Sequence, residues 1–187
     1  MCGRYTFELN QVKEIDRIYE LAQKNGYRPD ISVVTPGTSP ATVISKSNQI
    51  EVVTTKWGFP GFKPNQLIIN ARSETVLEKK MFASAFQKNR CVFPTTGFFE
   101  WSAEHQKYWF NYSSNPQALY IAGFYDYFDQ TPQSIILTTA PNSSVSEIHD
   151  RMPLILQKNQ IKPWLTDLDY AKNLLQNPMP ELFKTIQ

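Results

Sequence analysis

An α+β fold on a largely antiparallel, barrel-like β-sheet with peripheral helices is predicted by three observations. Two stretches space their apolar residues at helical intervals; a series of short β-branched and aromatic runs, most of them in the second half, is separated by polar turns; and no internal repeat or low-complexity segment interrupts them. At 187 residues the chain closes one well-buried core rather than two, so residues 1–187 are expected to form a single domain.

Between Leu9 and Lys24, Val12, Ile15, Ile18, Tyr19 and Ala22 predict an amphipathic helix, with Asn10 as cap and Gly26 past its end. Gly26, Pro29, Pro36, Gly37 and Pro40 make the next segment a loop. Ala41 to Ser45 and Ile50 to Trp57 read as strands joined by a polar turn, the second ending in the aromatic turn Trp57-Gly58-Phe59-Pro60-Gly61. The run Leu67 to Ile69 leads into Asn70-Ala71-Arg72-Ser73-Glu74. There Ser73 is expected to cap a second helix striped by Leu77, Met81, Phe82, Ala85 and Phe86. Strands are predicted at Cys91 to Pro94, Phe98 to Trp101, Tyr108 to Tyr112, Leu119 to Asp126 and Ser134 to Thr139. Asn142 and Ser143 open a short helix, Met152 to Leu156 is extended, and helical turns around Trp164, Leu168, Ala171 and Leu174 finish the chain.

A content of 41% hydrophobic and 19% charged residues, with four Trp, nine Tyr and twelve Phe, excludes disorder, a coiled coil and collagen. With no apolar run long enough to span a bilayer and no basic, apolar leader, neither membrane insertion nor secretion is expected. Two cysteines outside any C-x-x-C pair suit a reducing cytoplasm. A formal charge of +2 permits a small nucleic-acid footprint without arguing for one.

Cys2 is the most unusual position. A small residue after Met1 allows the initiator to be removed, leaving an α-amine and a thiol on adjacent carbons. That amine has a pKa of about 7.7–8.0 and is partly nucleophilic near neutrality, unlike a lysine at about 10.4. It would attack an aldehyde to give an imine, and the thiol would close a five-membered thiazolidine. The plainer reading is that Cys2 is merely tolerated. His149, in Ile148-His149-Asp150-Arg151-Met152-Pro153, is either an acid/base group or a structural hydrogen-bonder. His105 reads as a solvated turn residue. Glu100, within Gly97-Phe98-Phe99-Glu100-Trp101, is either desolvated and tuned for proton transfer or turned outward by strand alternation. Asn70 and Arg72 precede the expected helix start, a favourable place for an anion. Arg4, Arg72, Arg90 and Arg151 are either surface ion-pair formers or a phosphate track, with Trp57, Phe59 and Trp101 as stacking surfaces. A zinc site from Cys2, Cys91, His105 and His149 matches no standard spacing. No G-x-x-x-x-G-K-[ST], G-x-G-x-x-G or G-x-S-x-G motif occurs, and neither metal nor cofactor is expected.

Six blocks resemble, in order and content, the SOS response-associated peptidase (SRAP) family, whose members shield abasic sites in single-stranded DNA. They are Met1-Cys2-Gly3-Arg4-Tyr5, Trp57-Gly58, Asn70-Ala71-Arg72-Ser73-Glu74-Thr75, Arg90-Cys91 through Pro94, Gly97-Phe98-Phe99-Glu100-Trp101 and His149-Asp150-Arg151-Met152-Pro153. The resemblance runs from Met1 to about Leu165. It implies an SRAP-type domain in which Cys2, exposed by autopeptidase removal of Met1, forms a thiazolidine crosslink with the ring-opened deoxyribose. Asn70 would orient the Cys2 end or the sugar, Glu100 would shuttle protons, and His149 would assist ring opening. Arg4, Trp57, Gly58, Arg72, Arg90, Trp101, Arg151, Met152 and Pro153 would contact DNA. The implied partner is single-stranded DNA containing abasic sites, bound by a monomer in the nucleoid-associated cytoplasm. An N-terminal-nucleophile protease or amidohydrolase, and an abasic-site lyase acting through a Cys2 imine, are the alternatives. Three departures stand out. Ile31 to Gly37 lacks the family's Asn and Ala, Asn89-Arg90 replaces a commoner Arg-Arg, and Thr95-Thr96 stands where Ala-Asp is frequent.

Overall fold

The apolar stripe after Leu9 does form a helix, but only over Lys13–Lys24. Asn10 adopts a left-handed turn, φ 65°, and its amide donates to Asp16, so extended Val12 takes the cap position instead. The computed structural model describes residues 2–187.

The predicted first hairpin is present as Ala41–Lys46 and Gln49–Thr54, turned by Ser47 and Asn48, both at positive φ as a two-residue primed turn requires. Its second strand does not continue to Trp57. Thr55 donates to the Ser134 hydroxyl at 2.7 Å, and Lys56–Trp57 pairs instead in parallel with Thr131–Thr139. Ser73 is not a helix cap either. It opens a single 3-10 turn, Ser73–Thr75, after which buried Val76 anchors the chain and a separate helix runs over Lys80–Lys88. The sheet edge Phe183–Ile186 was not expected; it adds to Lys107–Asn111 with both Phe183 and Ile186 largely exposed.

One five-stranded antiparallel sheet runs Phe183–Ile186, Lys107–Asn111, Gly97–Trp101, Tyr5–Phe7, Ser32–Val34. A larger sheet runs Met152–Pro153, Thr131–Thr139, Leu119–Phe128, Arg90–Thr95, Ala41–Lys46, Gln49–Thr54. Asn70–Arg72 joins it in parallel beside Thr131–Thr139. Neither sheet closes, so the barrel expectation gives way to open sheets, mostly antiparallel, with few helices. The chain passes from one sheet to the other at Thr95-Thr96-Gly97. There the Thr95 hydroxyl accepts from the Gly97 amide at 2.7 Å, and Gly97 lies at φ +150°, where a Cβ would come within 2.3 Å of the Trp109 indole nitrogen. Aromatic side chains pack on both faces of the larger sheet: Tyr5, Trp57 and Phe93 form a group on one face, and Phe59 and Phe124, with Phe86 and Trp164 of the covering helices, form a group on the other.

Candidate functional site

Strand pairing alone gathers four of the residues picked out by chemistry. Tyr5 lies opposite Phe98, so the chain just before the first strand reaches the end of Gly97–Trp101 that carries Glu100. Thr138 pairs with both Arg72 and Pro153, which draws Asn70–Arg72 and the His149–Pro153 segment to one strand end. Where these elements meet, the Asn70 amide donates to the Cys2 carbonyl at 3.1 Å, and His149 Nε2 stands 4.0 Å from Glu100 Oε2. Asn70 Oδ1 is buried with no hydrogen-bond partner among the described residues. Met1, whose removal is expected, lies outside the described residues.

Burial sets the electrostatics. Glu100 is only 2% exposed and shares a sheet face with Phe98, so alternation turns it inward rather than outward. Loss of water around the carboxyl raises its pKa to about 7. The Cys2 thiol, fully buried, is pushed far up by desolvation first and by the Glu100 charge second. Burial also lowers the His149 pKa, favouring the neutral imidazole. Its Nδ1 accepts the Arg151 amide at 3.0 Å and also lies 2.9 Å from Asp150 Oδ1. Accepting from Arg151 requires the proton on Nε2, the nitrogen toward Glu100; donation to Asp150 requires the other tautomer. A carboxyl with a pKa raised to about 7 and an imidazole beside it whose pKa is lowered can each give or take a proton.

The expected DNA-contacting residues divide. Arg4 is exposed and its guanidinium lies over the Trp101 ring, 5.5 Å from the centroid. Arg72 is exposed as well. Arg151 makes a bidentate pair with Glu74 at 2.7 and 2.8 Å and donates to the Thr138 carbonyl at 2.7 Å. The others lie inside, contrary to the expectation of surface contact. Trp57 and Phe59 are core residues; the Trp57 indole donates to the Ile69 carbonyl, and thereby braces the residue before Asn70. Arg90 is buried because its guanidinium serves four carbonyls, those of Trp164, Gln87, Phe86 and Leu165. Gly58 donates its amide to Ser134, while Met152 and Pro153 are buried beside Thr138 and Thr139. Among the described residues, no three His, Cys, Asp or Glu side chains gather where they could hold a metal.

Sequence reasoning passed over two features. Asp150 faces the His149 ring, a role legible only once the backbone turn is known. Phe62, 87% exposed, tips the hairpin Phe59–Pro60 and Leu67–Ile68 that feeds into Asn70, with Lys63 next to it. An aromatic beside a lysine in a Pro-Gly turn was the available signal.

A family model described as SOS response associated peptidase (SRAP) matches residues 1–186. The chain belongs to this family. Among SRAP relatives, the abasic site processing protein YoqW of Bacillus subtilis (strain 168) is 33% identical over 94% of this chain and 87% of its own length. The abasic site processing protein YedK of Escherichia coli (strain K12) is 29% identical over 88% and 79%. HMCES of Xenopus tropicalis, also named an abasic site processing protein, is 30% identical over 51% and 37%. In fold, the SRAP chain is similar to a crystal structure from Bordetella bronchiseptica, with TM-score 0.78, 22% identity and coverage of 100% and 99%. A second, from Bacteroides thetaiotaomicron, has TM-score 0.73, 22% identity and coverage of 99% and 91%. Among the described residues no helix is long and apolar enough to cross a membrane.

Proposed function

We propose that this SRAP protein processes abasic sites in single-stranded DNA by joining Cys2, once Met1 is removed, to the ring-opened sugar as a thiazolidine. The observation that carries this reading is the meeting of Asn70, Glu100 and His149 at the Cys2 end of the chain. The names of the relatives support its abasic-site part.

In the first step the α-amine lone pair adds to the C1′ aldehyde carbon, and the carbonyl oxygen takes a proton to become the hydroxyl of a carbinolamine. Glu100, with a pKa near 7, is the proton donor for departure of that hydroxyl as water, leaving an imine. The thiol sulfur then adds to the imine carbon. Its proton passes to the nitrogen through Glu100 or His149, and the ring closes. The sum is aldehyde plus aminothiol giving thiazolidine plus one water, with no oxidant or reductant. Asn70 fixes the Cys2 carbonyl and so restrains the backbone during attack. Arg4 and Trp101 offer a cation and an aromatic face for the strand. The peptidase activity in the family's name would correspond to release of Met1.

Intact-mass analysis after incubation with an abasic single-stranded oligonucleotide tests the proposal. Expected is a species equal to the Met1-less protein plus oligonucleotide minus one water, absent with Cys2→Ala. An undiminished adduct from the variant would overturn it. Nicked DNA without a lasting adduct would point to the lyase alternative.

A further inference from the structure

Ser73, the residue after Arg72, lines a cavity of about 500 Å³ that none of the chemistry above uses. The Ser73–Thr75 turn and the end of the helix Leu168–Leu174 face each other across it. Its lining includes Ser73, Leu77, Glu78, Thr139, Asn173 and Gln176. The Ser73 hydroxyl, on a residue 3% exposed, has no hydrogen-bond partner among the described residues. A buried hydroxyl left so is an uncompensated cost unless something entering the cavity meets it.

Charge limits what that can be. Glu74 and Glu78 outnumber Lys172 in the lining; Glu74 is already held by Arg151, and Lys172 has an ion-pair contact with Asp169 at 3.4 Å. A phosphate inside would meet a net acidic wall. A neutral planar group with amine hydrogens suits the lining better: Leu77 and Leu175 supply apolar surface, the Glu78 carboxylate is an acceptor, and the Ser73 hydroxyl and the Asn173 and Gln176 amides can donate or accept. Ser73 lies three positions along the chain from Asn70, a span of at most about 10 Å, which a neighbouring nucleotide on the same strand can cover.

We infer that this cavity is a subsite for the base of a nucleotide flanking the abasic sugar, and that it favours bases bearing an exocyclic amine over thymine. The inference rests on the single-stranded DNA reading above. Arg72, exposed between Asn70 and the cavity, is placed to meet the phosphate that joins the two nucleotides.

The test uses short single-stranded oligonucleotides with a central tetrahydrofuran, which has no aldehyde and cannot be linked covalently. One flanking position at a time carries adenine, cytosine, thymine or a second tetrahydrofuran, and affinity is read by fluorescence anisotropy. For the wild-type protein, adenine and cytosine at one flank should bind about fivefold more tightly than thymine and about tenfold more tightly than the baseless flank. Ser73→Ala should bring the adenine-to-thymine ratio to within about twofold, with Asn173→Leu acting in the same direction. The melting temperature of Ser73→Ala should be unchanged or raised, since it removes an unmet hydroxyl. Equal affinity for every flank, or discrimination preserved in both variants, overturns the subsite while leaving the function proposed above intact. Failure to bind any of these oligonucleotides while the abasic oligonucleotide still gives the covalent adduct overturns the subsite alone; loss of that adduct as well overturns both.

Discussion

At the scale of single residues, Glu100 couples stability to pH. Its folded pKa, about 7, lies above the value near 4.5 of an unfolded glutamate, so the folded state binds the proton more tightly. Its contribution is therefore fullest below pH 4.5 and is lost as pH rises toward 7. Glu100→Gln cannot ionise and escapes that loss. The difference in melting temperature, variant minus wild type, should grow between pH 5 and pH 8, by the equivalent of on the order of 2–3 kcal/mol. A flat difference across that range would show that the carboxyl is not desolvated. Arg90 makes a second case. Its guanidinium holds four carbonyls in the interior, so Arg90→Met strands them and should cost about 3 kcal/mol in urea unfolding. An arginine serving only as a DNA contact would leave stability unmoved.

At the scale of elements, the hairpin Phe59–Pro60 and Leu67–Ile68 holds an aromatic ring in solvent directly before the Asn70 strand. Stacking of a base on Phe62 would contribute about 1–3 kcal/mol, so Phe62→Ala should weaken binding of a single-stranded oligonucleotide by about tenfold with little change in thermal stability. Anisotropy titration and a melting curve decide it together. What the sequence made legible here follows from periodicity. Strands with β-branched or aromatic alternation, such as Leu119–Phe128 and Thr131–Thr139, announced themselves, as did the stripe of Lys13–Lys24. Local capping chemistry misled where a long-range contact won. Ser73 has a cap residue's side chain, yet Val76 is drawn into the core and the turn stops. The strand Phe183–Ile186 carries no burial pattern because its sheet partner, not a core, selects it. In the candidate site, Cys2, Glu100 and His149 stand out by their chemistry with a plainer reading beside each, Asn70 stood out through a helix start that does not form, and the family resemblance is what joins the four. The burial of Trp57 and Arg90 was not legible, since stacking and phosphate-binding groups also serve as core and carbonyl ligands.

At the scale of the whole molecule, a formal charge of +2 on 187 residues leaves little long-range attraction for a polyanion. Of the arginines considered for contact, Arg4 and Arg72 are the exposed ones, with Lys56 and Lys63 near the hairpin. Two to four neutralised phosphates give a slope of log affinity against log salt between roughly −1.4 and −2.8 for single-stranded DNA. A slope steeper than about −5 would mean that a much larger cationic surface takes part.

The strand Tyr5–Phe7 is hydrogen-bonded on both flanks, to Gly97–Trp101 and to Ser32–Val34. A DNA strand anchored three residues upstream would thus be moored to the middle of a sheet and not to a dangling end. A motor hauling on that strand would have to tear two ladders at once before the polypeptide gave way. Mechanical clearance of such an adduct should accordingly begin with forced unfolding of this sheet, which single-molecule pulling from the DNA end can resolve.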